Sequence, residues 1–320
     1  MPPEYTLPTA PPSPAHRIVR IVAIVIAVLI VLAVGYFFFV LNYQPERAAA
    51  VRLWVSAHVH QLTDPKELKN VVYVLAPQDG GRIYTDANPG ASATAWNVDR
   101  NRTISDYARA DGAAAAILYT RTSKVFEVAK DMKPLVSSAS FKRSIALSPD
   151  GTKIAYAEAK GNPGLPFSWQ VVVLDSASGK ELYRAPGFTV FFLNDGTVLR
   201  LTQQGVERTT VATKENAVLL KDASLSPVTR VAQSADRSLL ALTDPKDGYT
   251  KVYGVSATGT TVEVKSQQSI PAGGSIAVSP QSVYWLSATT KGSELWHYPL
   301  TGGDGKMIRS SDVIVTKLVF

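Results

Sequence analysis

Hydrophobic and polar positions along the chain follow three successive patterns. The first seventeen residues are polar and proline-rich, Ile21 to Leu41 is continuously apolar, and from about residue 70 short apolar runs alternate with turn residues. The apolar run, IVAIVIAVLIVLAVGYFFFVL, has 21 residues and holds no charge, Asn or Gln. At about 1.5 Å per residue it reaches roughly 31 Å, the thickness of a hydrocarbon core. The pattern therefore predicts a single transmembrane helix over 18–43, with Tyr36, Phe37, Phe38, Phe39 and Tyr43 as an aromatic belt at its C-terminal end. A cleaved signal peptide is the rival reading, since Ala48, Ala49 and Ala50 follow the run. A signal core of about 7–15 residues is much shorter than this one, which favours an uncleaved anchor.

Residues 1–17 carry Pro2, Pro3, Pro8, Pro11, Pro12 and Pro14, a composition for an extended cytoplasmic tail without a packed core. Arg17 and Arg20 lie closer to the apolar run than Arg47 and Arg52 do. The expected topology is a cell-membrane protein with its N-terminus cytoplasmic and its C-terminal domain extracytoplasmic. Residues 44–70 form a juxtamembrane connector. Val51, Leu53, Val55, Ala57 and Val59 have the period of a strand, whereas Pro45-Glu46-Arg47 before three alanines opens like a helix.

Beyond residue 70 the chain repeats. Ser144 to Arg184 reads as strand, turn at Asp150-Gly151, strand, loop, strand, turn at Ser178-Gly179, strand. The first turn recurs at 111, 150, 195, 236 and 281, at intervals of 39, 45, 41 and 45 residues. After each comes an apolar strand: AILYT, KIAYA, TVLRL, SLLAL and SVYWL. A four-strand unit of about 40–45 residues is a β-propeller blade, which buries its faces only by stacking on copies of itself. The expected fold is all-β, a propeller over 71–320. The count gives six blades at 71–107, 108–139, 141–185, 188–221, 226–266 and 274–310, with five to seven open because the first two units are irregular. VIVTKLVF at 313–320 is a spare strand suited to closing the ring.

The unit SPDGTKIAY…VVVLDSASGKELYR resembles the repeat of TolB-type, WD40-like propellers of bacterial envelopes. Ser234–Val264 and Ser279–Arg309 share part of the pattern. The resemblance implies an extracytoplasmic propeller, often a protein-binding one. A membrane anchor and the lack of a visible second domain depart from that family.

Net charge is +7, of which +6 falls on residues 42–320 without a run of five like charges, so a nucleic-acid groove has little support. With no cysteine, thiol chemistry and Cys-ligated metals are excluded. His58 and His60 share a strand face but lack a third ligand at metal spacing, and His297 is an ordinary strand residue. No G-x-S-x-G, S-x-x-K or H-E-x-x-H motif occurs, so no catalytic residue, cofactor site or metal site is assigned. Asp150, Asp195 and Asp236 follow the blade period and read as Asx turns. Trp96, Phe126, Tyr253 and Trp296 share a third-strand position and read as blade packing.

The loops between second and third strands emerge on one face, and they hold Asn88-Pro89-Gly90, Asn162-Pro163-Gly164 and Asp244-Pro245. The longest, KGNPGLPFSW, presents Leu165, Phe167 and Trp169 on a stiff backbone, a suitable anchor for a partner. The candidate contacts are thus Asn88, Asn162, Leu165, Phe167 and Trp169. The expected function is non-catalytic binding of a protein or envelope polymer. The alternative is a hydrolase or lyase acting on envelope glycan or peptide, which would need carboxylates converging on the central channel.

Overall fold

A computed structural model of the chain describes residues 14–43, 68, 71–76, 83–85, 101–110, 112–222, 224–243, 249–256, 262–271, 273–311 and 313–320. The chain divides into two compact units, Met1–Ala48 and Ala49–Phe320.

The first unit contains helix α1, Pro14–Tyr43. It begins four residues before the expected 18 because Pro14 fits a first helical turn, where its missing N–H costs nothing. Every side chain described on α1, over residues 22–36, is exposed, including Ile24, Val31 and Leu32. No helix among the described residues is long and apolar enough to cross a membrane. Of the connector only Leu68 is described, fully buried; the alternating stretch at 51–59, with His58 and His60, lies outside the described residues.

The second unit is all-β. Strands β1 (Val72–Leu75) and β2 (Ile83–Thr85) precede β3 (Arg102–Ala110), β4 (Ala113–Thr120), β5 (Val125–Lys130) and β6 (Lys133–Ser138), the first complete blade. The second blade comprises β7 (Phe141–Leu147), β8 (Lys153–Ala159), β9 (Trp169–Asp175) and β10 (Glu181–Pro186). The third is built from β11 (Thr189–Phe192), β12 (Val198–Thr202), β13 (Gly205–Thr209) and β14 (Asn216–Lys221). The fourth contains β15 (Arg230–Gln233), β16 (Leu239–Thr243), β17 (Tyr249–Val255) and β18 (Val262–Ser269). The fifth has β19 (Ser275–Val278), β20 (Ser282–Thr289), β21 (Gly292–Pro299) and β22 (Lys306–Ser311). Finally β23 (Val315–Val319) pairs antiparallel with β1, Val72 opposite Val319, in a three-stranded sheet with β2.

Among the described residues the propeller has five four-stranded blades, and the expected six are not found there. The strand read at TAWNV, needed for a sixth, lies outside the described residues. The first two expected units, 71–107 and 108–139, are also wrongly divided. Gly112 stands between β3 and β4 as Gly151 stands between β7 and β8. The strand before the turn thus opens the blade of 102–138 and does not end an earlier one.

The apolar runs are continuous because each middle strand is covered on both faces. In β9, Val171 and Val173 pack toward Val190, Phe192 and Val198 of the third blade, while Val172 and Leu174 pack toward Ile117 and Val128 of the first. Leu199 and Leu201 meet Leu240 and Leu242, and Ala241 and Val252 meet Ile276 and Val278. The three-stranded sheet packs through Tyr73 and Val315 on Tyr284 of the fifth blade, and through Val72 and Val74 on Ile104 and Leu118 of the first. The first strands of the blades and β23 thereby face a common central channel.

Candidate binding face and central channel

Up-and-down connectivity places the turns between first and second strands at one end of the channel. The loops between second and third strands, with the connections from blade to blade, lie at the other. The turn end is built from self-satisfied aspartates. Asp150 accepts from Ser148 Oγ at 2.5 Å, Thr152 N at 3.1 Å and Thr152 Oγ1 at 2.8 Å. Asp236 repeats the arrangement with Ser234 Oγ at 2.5 Å, Ser238 N at 3.2 Å and Ser238 Oγ at 2.7 Å. Asp195 takes Thr197 N at 2.9 Å and Thr197 Oγ1 at 2.6 Å, and pairs with Arg208. The Ser148 hydroxyl, with two bonds from this turn, holds the Asp150 carboxyl down at about 2. All three carboxylates serve turn geometry, and among the described residues no group of three potential ligands could hold a metal ion.

At the loop end, Leu165 and Phe167 are exposed, Phe167 by 75%, at the N-cap and the middle of the one-turn 3-10 segment Pro166–Ser168. Asn162 builds this loop: its Oδ1 accepts from Gly164 N at 2.9 Å, and its carbonyl accepts from Ser168 Oγ at 2.5 Å and Leu165 N at 3.1 Å. Trp169 departs from expectation, being 1% exposed. Its Nε1 donates to the Pro163 carbonyl at 2.8 Å, its face carries the Arg143 guanidinium at 4.3 Å, and Phe141 meets it edge-on at 5.7 Å. Trp169 thus braces the loop from below and is not a surface contact. Asn88 and the Asp244-Pro245 loop lie outside the described residues, as does Trp96. Phe126 touches Phe141 of the next blade at 5.1 Å, and Tyr253 and Trp296 also pack within the ring, as expected of their register.

Three further exposed apolar side chains lie at the loop end. Phe141 opens β7, Val228 sits in the connection to β15, and Tyr249 opens β17. The remaining large exposed apolar residues of the propeller among those described, Leu182, Val218 and Met307, lie on the outer strands β10, β14 and β22. The sequence signal for the missed three is positional: each precedes or begins a strand that starts at this end.

The channel itself encloses a cavity of about 400 Å³ lined by β3, β7, β11, β15, β19 and β23. Its ionisable lining is Asp106 against Arg109, Arg143, Arg230, Arg237 and Lys317. Asp106 accepts from Tyr107 N at 2.8 Å and Ile145 N at 3.1 Å, and pairs with Lys317. Burial pushes the Arg143 guanidinium down to about 10, opposed only by the charge of Asp106. Burial also lowers the pKa of Arg230. The sequence disguised this concentration, because the cations come from four separate parts of the chain, with only Arg230 and Arg237 in one repeat, and are gathered by the fold. Ser282 Oγ and His297 Nε2 lie 2.6 Å apart, but between β20 and β21, and neither residue lines the channel.

No protein-family model matches the chain, and no curated protein matches it in sequence. Among solved structures it is similar to TolB from Acinetobacter baumannii, at 16% identity over 82% of this chain and 68% of that one, with a TM-score of 0.55. A chain of the nidogen/laminin complex is similar at 10% identity over 78% of this chain and 97% of that one, TM-score 0.51. At these identities the similarity shows the β-propeller fold.

Proposed function

We propose that this chain is a membrane-anchored, extracytoplasmic propeller whose loop face binds a protein partner without catalysing a reaction on it. The observation that carries the reading is the gathering of Phe141, Leu165, Phe167, Val228 and Tyr249 at one end of the ring, while the turns at the opposite end are polar Asx turns. An apolar patch with a polar surround is the usual surface for association. The Leu165–Phe167 hairpin is preorganised by Asn162 and Trp169, so little entropy is lost when it is covered. The similar propeller solved in the nidogen/laminin complex belongs to a protein assembly, in keeping with the same use here. Anchoring rests on the whole run Ile21–Leu41 and on the exposure of its described side chains, and the outward orientation rests on Arg17 and Arg20.

The test is site-specific photocrosslinking in intact cells. A photoreactive residue at Phe167 or Val228 is expected to give discrete protein adducts, whereas one at Val218 on the outer strand gives none. Equal labelling from all three positions, or none from the loop face, overturns the binding reading. Added protease reaching the propeller only after lysis overturns the orientation.

A further inference from the structure

Four of the channel cations have identifiable duties, and their neighbours show what is left over. Lys317 neutralises Asp106, whose oxygens are otherwise occupied by backbone N–H groups. Arg237 donates to the Leu147 carbonyl at 3.2 Å and Arg109 to the Phe320 carbonyl at 3.3 Å. Arg143 is locked by donation from Nε to the Phe188 carbonyl at 3.0 Å and from Nη1 to the Pro227 carbonyl at 2.5 Å, beneath the stack on Trp169. Carbonyls satisfy its Nε and Nη1 but not its charge, and its buried Nη2 has no partner among the described residues. Arg230 bonds only the Gly273 carbonyl and pairs with no carboxylate among the described residues. Both arginines stand where the first strands begin, at the loop end of the cavity.

We propose that this mouth of the channel is a binding site for an oxyanion, a carboxylate or phosphate group of a small ligand, with Arg230 donating to it and the fixed charge of Arg143 attracting it. A planar guanidinium with unused donors matches either group. In a cavity walled by protein, the field of a buried cation is weakly screened, so an anion gains more there than at the open surface. The volume of about 400 Å³ suits a small organic anion or phosphate ester and excludes a folded domain. Thr189 and Ser275, which also line this cavity, carry hydroxyls suited to be further donors. The site lies inside the channel mouth beside the apolar patch, and anion binding there does not require the patch to be covered by a partner.

The experiment is calorimetric titration of the full chain in detergent micelles with inorganic phosphate and, separately, succinate, at ionic strength held constant with chloride. Saturable binding of either probe is expected. Arg230→Gln, which removes a side chain bonded to a single carbonyl, is expected to weaken it about tenfold or more. Arg143→Gln is expected to weaken it too, with circular dichroism confirming that the variant is folded; if it does not fold, Arg230→Gln decides. No binding of either probe above chloride, or wild-type affinity in Arg230→Gln, overturns the proposal.

Discussion

Arg237 Nη2 donates to the main-chain carbonyl of Leu147 at 3.2 Å, a bond that crosses from the fourth blade to the second past the one between them. Arg237 sits at φ 62°, in the turn position where Gly151 has φ 65° and Gly196 φ 77°. A side chain is thus held in a left-handed conformation so that it can reach over the end of the channel. Arg237→Ala and Arg237→Gly both lose the bond, but only glycine relieves the backbone. The alanine variant should unfold at lower denaturant than the glycine variant, by about 1 kcal/mol in stability. Equal midpoints in urea titrations would show that the turn is not strained.

Arg200 and Glu207 form an ion pair at 2.6 Å inside the third blade, with Arg200 4% and Glu207 8% exposed. Arg200 also donates to Thr209 Oγ1 at 3.1 Å and the Pro186 carbonyl at 2.6 Å, and Glu207 accepts from Thr202 Oγ1 at 2.7 Å. Arg200→Met strands a buried carboxylate and is expected to cost about 3–5 kcal/mol. Adding Glu207→Gln should recover a substantial part of that loss. A double variant no more stable than Arg200→Met alone, measured by denaturation, would place the cost in the lost carbonyl and hydroxyl bonds.

Acid should act through the Asx turns. The Asp150 carboxyl is lowered from its ordinary 3.8 to about 2, first by the Ser148 hydroxyl, and the carboxyls of Asp195 and Asp236 are lowered as well by the hydroxyls and N–H groups of their turns. A depressed carboxylate stabilises the folded state above its unfolded pKa, and that contribution disappears as pH falls through the folded value. The window for Asp150 therefore runs from near pH 4 down to about pH 2. Asp150→Asn should be less stable than the wild type at neutral pH and converge with it at the acid end. A constant difference across the window in pH-dependent thermal unfolding contradicts this assignment.

The repeat was legible because its markers are chemically local: Asp150, Asp195 and Asp236 each close a turn with neighbours two residues away. The second strands were legible because burial on both faces leaves a continuous apolar run. What escaped were relationships made by ring closure. Arg143 and Arg230 meet one cavity only because their strands begin at the same end, and nothing in the spacing of repeats reports an inward charge. The blade boundary at residue 108 failed for a related reason, since β3 runs unbroken from Arg102 to Ala110 and offers no turn there.

Phe167 and Trp169 lie two residues apart in a loop read from sequence as a single aromatic contact surface, yet they do opposite work. Phe167 is 75% exposed and Trp169 1%. Removing the first leaves the fold untouched, so Phe167→Ala should change stability by no more than about 0.5 kcal/mol while weakening capture of the partner. Removing the second opens a cavity beneath Arg143 and frees the Pro163 carbonyl, and Trp169→Ala should cost about 3–5 kcal/mol. A combined variant cannot test the binding face, because lost binding would report a collapsed loop. Phe167→Ala with Leu165→Ser, checked for an unchanged denaturation midpoint, separates the two. Full binding in that folded variant would remove the hairpin from the interface.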